Sequence, residues 1–130
     1  MEKTIIAVRG AVSIDESRDE SQAMAEAVGQ LLEKILSLNN LDIEDIISIQ
    51  FTQTADLKQK NAASALRESR SDYNSTPLFC AQEPAIEGML PRIVRVMLTG
   101  WGRKPVKPVY LGETSRLRPD CKSPDGESGY

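Results

Sequence analysis

The chain has 130 residues, of which 40% are hydrophobic and 27% charged, with a formal net charge of −3 and a pI near 5.0. This reads as one globular domain with a modest core, and the acidic balance, without a Lys/Arg stripe, argues against nucleic acid or an anionic membrane as main partner. Histidine is absent, which removes the commonest general base and zinc ligand and excludes Ser-His-Asp chemistry. With only two cysteines, Cys80 and Cys121, and no Gly-rich phosphate loop, neither a metal, a nucleotide nor a disulfide framework is expected. The apolar run after Met1 is too short for a signal-peptide core and no stretch approaches a membrane span, so the expected location is cytoplasmic.

In chain order, Thr4 to Gly10 (TIIAVRG) predicts a strand that ends at a glycine, with Arg9 as its last side chain. Ser17 to Glu20 (SRDE) fits a capping box, and Met24, Val28, Leu31, Ile35 and Leu38 follow at helical spacing until Asn39-Asn40 breaks the pattern. Ile47, Ile49 and Phe51 alternate with Ser48, Gln50 and Thr52, as in a half-buried strand. Asn61 to Arg70 predicts a shorter helix with Asn61 as N-cap. Strands are expected over Leu78 to Gln82, Arg92 to Thr99 and Val109 to Leu111, with a loop from Trp101 to Pro108. Residues 1–118 form the expected single domain, and 119–130 (PDCKSPDGESGY) have the composition of a tail with little order of its own. The fold class is α/β (α+β): a mixed sheet with two main helices on one face.

The stretch RIVRVML, Arg92 to Leu98, holds the sharpest question. Val94, Val96 and Leu98 make one apolar strand face, while Ile93 and Met97 flank Arg95 on the other. Both faces call for burial, yet two helices cover only one, so further copies of the chain are expected to cover the second. A buried cation without a partner costs several kcal/mol, roughly, so Arg95 must meet either a protein carboxylate or an anionic ligand. Arg9 and Arg118 also stand at the ends of elements; alone each reads as a surface charge, but together three arginines suit a ligand with two carboxylates, which the guanidinium fork grips bidentately. Glu83, where a strand runs into a loop, is a candidate acceptor for a ligand hydroxyl, and Tyr110 a phenol within reach of a carboxylate. Cys80 has no histidine to activate it as a nucleophile.

VRGA (Val8 to Ala11), FTQTADL (Phe51 to Leu57), CAQE (Cys80 to Glu83), LPRIVRVML (Leu90 to Leu98), VYLGE (Val109 to Glu113) and LRPD (Leu117 to Asp120) occur in this order. Together they resemble the monofunctional chorismate mutases of the Bacillus type. The resemblance implies a homotrimeric pseudo α/β-barrel with active sites between subunits, and an isomerase that converts chorismate to prephenate in phenylalanine and tyrosine biosynthesis. It implies no cofactor, no metal and no covalent intermediate, only an intramolecular Claisen rearrangement. By the same resemblance Arg95 donates to the ether oxygen of the breaking bond, Arg9 and Tyr110 contact the carboxylate side, and Glu83 and Cys80 face the ring hydroxyl. Asn61, Ala63, Ser64 and Arg67 of the second helix, with Leu117 and Arg118, would form the substrate-binding wall supplied by the adjacent subunit. The chain departs from the family where it has Asn61-Ala62 instead of Phe-Pro, Ser64 instead of a frequent lysine, and Pro84 after Glu83. Two other readings fit the same frame: a Rid-type enamine/imine deaminase on a similar trimeric barrel, and a non-catalytic carboxylate-binding trimer.

Overall fold

The strand that carries Arg95 lies at the centre of the sheet. The computed structural model describes residues 2–116, so Leu117, Arg118 and the expected tail over 119–130 lie outside the described residues. Five strands form one mixed sheet in the order β3-β2-β4-β1-β5, with β1 at Thr4–Ser13, β2 at Ile46–Gln53, β3 at Leu78–Gln82, β4 at Ile93–Gly102 and β5 at Val109–Leu111. β4 runs antiparallel to both β1 and β2, while β5 and β3 add parallel strands at the two edges.

Helix α1 (Glu20–Leu38) buries Met24, Val28, Leu31 and Ile35, and ends at Asn39 with Asn40 at a φ of 53°. Helix α2 (Ala62–Ser69) starts at the Asn61 cap, whose side chain accepts from Ser64 N. Both helices pack against Ile6, Val8, Val12, Ile49, Phe51, Val94, Val96 and Leu98, which form the main core with Leu32 and Leu66. Removing these side chains from water is the principal stabilising term. No helix among the described residues is long and apolar enough to cross a membrane.

Several expected boundaries shift, each for a local reason. Strand β1 continues past Gly10 to Ser13, because this glycine fits a close approach: a Cβ there would stand 2.9 Å from Val109 O of β5 and 3.0 Å from Ile35 Cδ1. Ser17 does not cap α1. Its hydroxyl donates to Asp15, and Asp19 accepts from Gln22 N, while Glu20 accepts instead from Gln59 N. Ile47 is exposed and does not share the buried face of Ile49 and Phe51, because the β2–β4 register slips between Ile46 and Ser48. Strand β4 extends to Gly102, three residues beyond the expected Thr99, so Trp101 belongs to the strand rather than to a loop.

The second sheet face carries Ile5, Phe79 and Trp101, which are 54%, 63% and 45% exposed in the single chain. Ile5 and Trp101 are paired neighbours across β1 and β4, and Phe79 lies on β3 at the sheet edge.

Tyr73, in a 3-10 turn after α2, belongs to the buried core. Burial, with Arg70 opposing, pushes its phenol up from 10.0 to about 12. The neutral phenol is the form the fold favours, so its contribution is complete below pH 10 and is lost as the pH rises toward about 12. We expect denaturant-unfolding stability to fall across that window, and Tyr73→Phe to make it less steep; an unchanged slope in the variant would contradict this assignment.

Candidate active site

One ladder row crosses the whole sheet through Arg95. Reading from edge to edge it is Tyr110 (β5), Ala11 (β1), Arg95 (β4), Thr52 (β2) and Ala81 (β3). Side chains of one row point to the same face, here the face the helices leave open. Ala11 matters because it keeps the row low beside the long guanidinium stem. Arg9 is two residues along β1 from Ala11, on the same face and opposite Met97.

Glu83 lies just beyond β3, where its N–H donates to Gln53 O at 2.9 Å. That bond continues the β2–β3 ladder one step and turns the side chain back over the row. Thr52 Oγ1 donates to Glu83 Oε2 at 2.6 Å, and Arg95 Nε donates to the same oxygen at 3.0 Å. The carboxylate is buried at 8% exposure, while the Arg95 side chain remains 40% exposed. The bond from Nε leaves four N–H groups of the fork on Nη1 and Nη2. Electrostatically, then, the pair is a sunken anion clamped from two sides with a cation directed outward.

Arg92, the other arginine of the apolar stretch, has a structural task. Its φ is 59°, its Nε donates to Ile14 O at 2.9 Å and its Nη2 to Asp15 O at 3.1 Å. Its main-chain N–H donates to the Asp56 carboxylate at 3.0 Å. Burial pushes that carboxyl up, but hydrogen bonds from Thr54 and from Arg92 N outweigh it and hold Asp56 below the usual carboxylate value. Arg92 therefore pins the start of β4, which fixes where Arg95 emerges.

The expected site residues divide into four groups. Arg95 and Glu83 are in contact, and Arg9 and Tyr110 share their sheet face, Tyr110 buried against Ala11 and Ile93. Cys80 does not join them: on β3 it pairs with Phe51 of the helix-covered face, and its Sγ donates to Gln53 Oε1 at 3.3 Å. Within one chain this side faces away from the Glu83–Arg95 pair, and Cys80 lines an open pocket there with Gln53 and Asn61. Asn61 caps α2 and Ser64 and Arg67 lie on it, behind the sheet, and the Ala63 side chain packs into the core of the single chain. Leu117 and Arg118 lie outside the described residues. Within one chain α2 and Arg95 are on opposite sides of the sheet, and only a second copy could bring them together. The residue missed from the sequence is Thr52: a threonine in a strand is unremarkable until its register opposite Arg95 is known.

An open pocket elsewhere is less suited to an anionic ligand. A cavity of about 640 Å³ beside the end of α1 is lined by Asp42, Glu44 and Asp72, and would repel one.

A sheet half-covered by helices, with a cation and a clamped carboxylate on its open face, describes a candidate binding site for a small polar anion. Residues 5–121 match the family described as chorismate mutase type I, and the chain belongs to that family. A chorismate mutase AroH of Thermus thermophilus is 36% identical over 120 residues, covering 89% of this chain and 95% of that protein. The chorismate mutase AroH of Bacillus subtilis (strain 168) is 34% identical over 116 residues, covering 87% and 89% respectively. Among solved structures, a chorismate mutase from Clostridium thermocellum superimposes with a TM-score of 0.77 at 32% identity, covering 86% of this chain and 99% of that one. The mixed sheet with two helices that the sequence predicts is the fold this chain shares with that structure.

A hydrogen bond to a charged group contributes about 1.5–3 kcal/mol, so Thr52→Val is expected to lower kcat/KM roughly ten- to a hundredfold. Thr52→Ser, which keeps the hydroxyl, should recover most of it, with both variants melting close to the parent. A valine variant with parental kinetics would remove Thr52 from the site.

Proposed function

We propose that the chain is a chorismate mutase that rearranges chorismate to prephenate within a site shared between subunits of a homotrimer. In this rearrangement the ether carbon–oxygen bond breaks while a carbon–carbon bond forms between the enolpyruvyl methylene and the ring. No proton is transferred and no electron leaves the substrate, so a chain without histidine can promote it. What the reaction needs is a folded substrate conformer and a cation where the ether oxygen gains negative charge.

The observation that carries this reading is the Arg95–Glu83–Thr52 cluster on the sheet face opposite the helices. Arg95 donates to the ether oxygen through the outward part of its fork. Glu83, already aimed by Thr52, accepts from the ring hydroxyl through its carboxylate. Arg9 and Tyr110 hold a substrate carboxylate on the β1–β5 side of the row. The adjacent subunit closes the cleft with α2, bringing Ser64 and Arg67. Burial of Ile5, Phe79 and Trp101 between sheets supplies the apolar contact for that assembly. With both charged groups withdrawn from water, each electrostatic contact is stronger than it is on the exposed face of the single chain.

The test is a direct assay on purified protein freed of metal ions by chelation. Loss of chorismate absorbance, with the product converted by acid to phenylpyruvate, is the expected outcome, from a species of three times the 14.3 kDa chain mass. Inert chorismate together with ammonia release from imino acids would contradict it in favour of a deaminase. Saturable chorismate binding without turnover would contradict it in favour of a binding protein.

A further inference from the structure

The buried side chain of Gln53, 8% exposed, uses its hydrogen-bonding groups on three separate pieces of chain. Its Nε2 donates to Leu57 O at 3.1 Å and to Lys60 O at 3.0 Å. Its Oε1 accepts from Ala62 N at 2.9 Å and from Cys80 Sγ at 3.3 Å. Its own carbonyl accepts from Glu83 N at 2.9 Å. One residue at the end of β2 thus holds the turn after it, the first residue of α2, and the strand that leads into Glu83.

The first turn of a helix has N–H groups with no partner inside the helix. In α2 the Asn61 side chain takes Ser64 N at 3.1 Å. Ala62, at the first helical position, is fully buried, and its N–H has no access to water. A proline there would carry no N–H to satisfy. With alanine the donor exists, and leaving it unmatched in the core is costly; Gln53 Oε1 is the acceptor that matches it. The start of α2 is therefore fixed by directional bonds to β2 as well as by apolar packing, which alone permits sliding.

We propose that Gln53 is a positioning residue for substrate affinity: it sets the first turn of α2, and with it Ser64 and Arg67, in register with the strand that leads to Glu83. This rests on the reading that α2 closes a neighbouring subunit's site. Gln53 touches no substrate, and its effect falls on the binding wall rather than on the Arg95 contact. It also ties Cys80 to the same point, as a donor to the Gln53 amide.

The experiment compares Gln53→Met, which keeps the length of the side chain but none of its four bonds, with the double variant Gln53→Met/Ala62→Pro. Asn61 has a φ of −81° and a ψ of 130°, the extended conformation that a residue before proline adopts, so proline fits at position 62. The single variant is expected to raise KM for chorismate roughly tenfold or more while kcat stays within about threefold, and the proline should recover most of the KM. A lowered melting temperature with unchanged KM would mean a purely structural residue and overturn the proposal. So would a loss of kcat at constant KM. If the single variant does not fold, the double variant is read by itself: parental KM supports the proposal, and raised KM or failure to fold overturns it. Turnover by the unaltered protein, measured alongside, separates the two claims, since its absence would be a failure of the mutase reading and its presence with the wrong KM pattern a failure of this inference alone.

Discussion

The rest of the site depends on a single buried carboxylate oxygen. Glu83 Oε2 receives both the Thr52 hydroxyl and the Arg95 Nε–H, and these bonds fix where the guanidinium points. A pair with its cation 40% exposed contributes little to stability, whereas a Glu83 left alone in its buried position would be strongly destabilising. The arrangement is thus a poor stabilising device and a good orienting one. That balance is expected where charge serves a ligand rather than the fold.

The fold serves this pair through parity and position. β4 is central, so Arg95 has a strand on each side of it, and the register places Ala11 and Thr52 as its neighbours. Arg92 holds the beginning of β4 through Ile14, Asp15 and Asp56. A shift by one residue in β4 would send the guanidinium into the helix-covered core. The apolar residues Val94, Val96 and Leu98, buried against the helices, prevent such a slip and therefore also protect the site.

Much of this was legible in the sequence, and the remainder was not, for physical reasons. The bounds of α2, β3 and β5 follow from local signals: the Asn61 cap, the entry through Pro77 and short β-branched or aromatic runs. Alternation around Arg95 correctly separated the covered face from the open one. By contrast, Gly10 looks like a terminator but is a contact point between β1, β5 and α1, which depends on pairing between distant segments. The Ile47 slip is equally non-local, since it arises from register with β4. Cys80 was assigned from motif likeness, while its side depends on pairing with Phe51. Thr52 and Gln53, adjacent and facing opposite ways, carry no signal in their residue types; only the two sheet faces reveal that one aims Glu83 and the other anchors α2.

The account stands on Arg95 acting through its fork, and the most direct measurement is steady-state chorismate turnover by Arg95→Lys, with melting and assembly mass recorded on the same sample. Lysine keeps the positive charge but has no planar fork to hold Glu83 and the substrate at once. The predicted result is a loss in kcat of roughly 10²–10³ from a protein that melts and assembles like the parent. Turnover within a few-fold of the parent would contradict the role given to Arg95, and with it the mechanism built on the open face of the sheet.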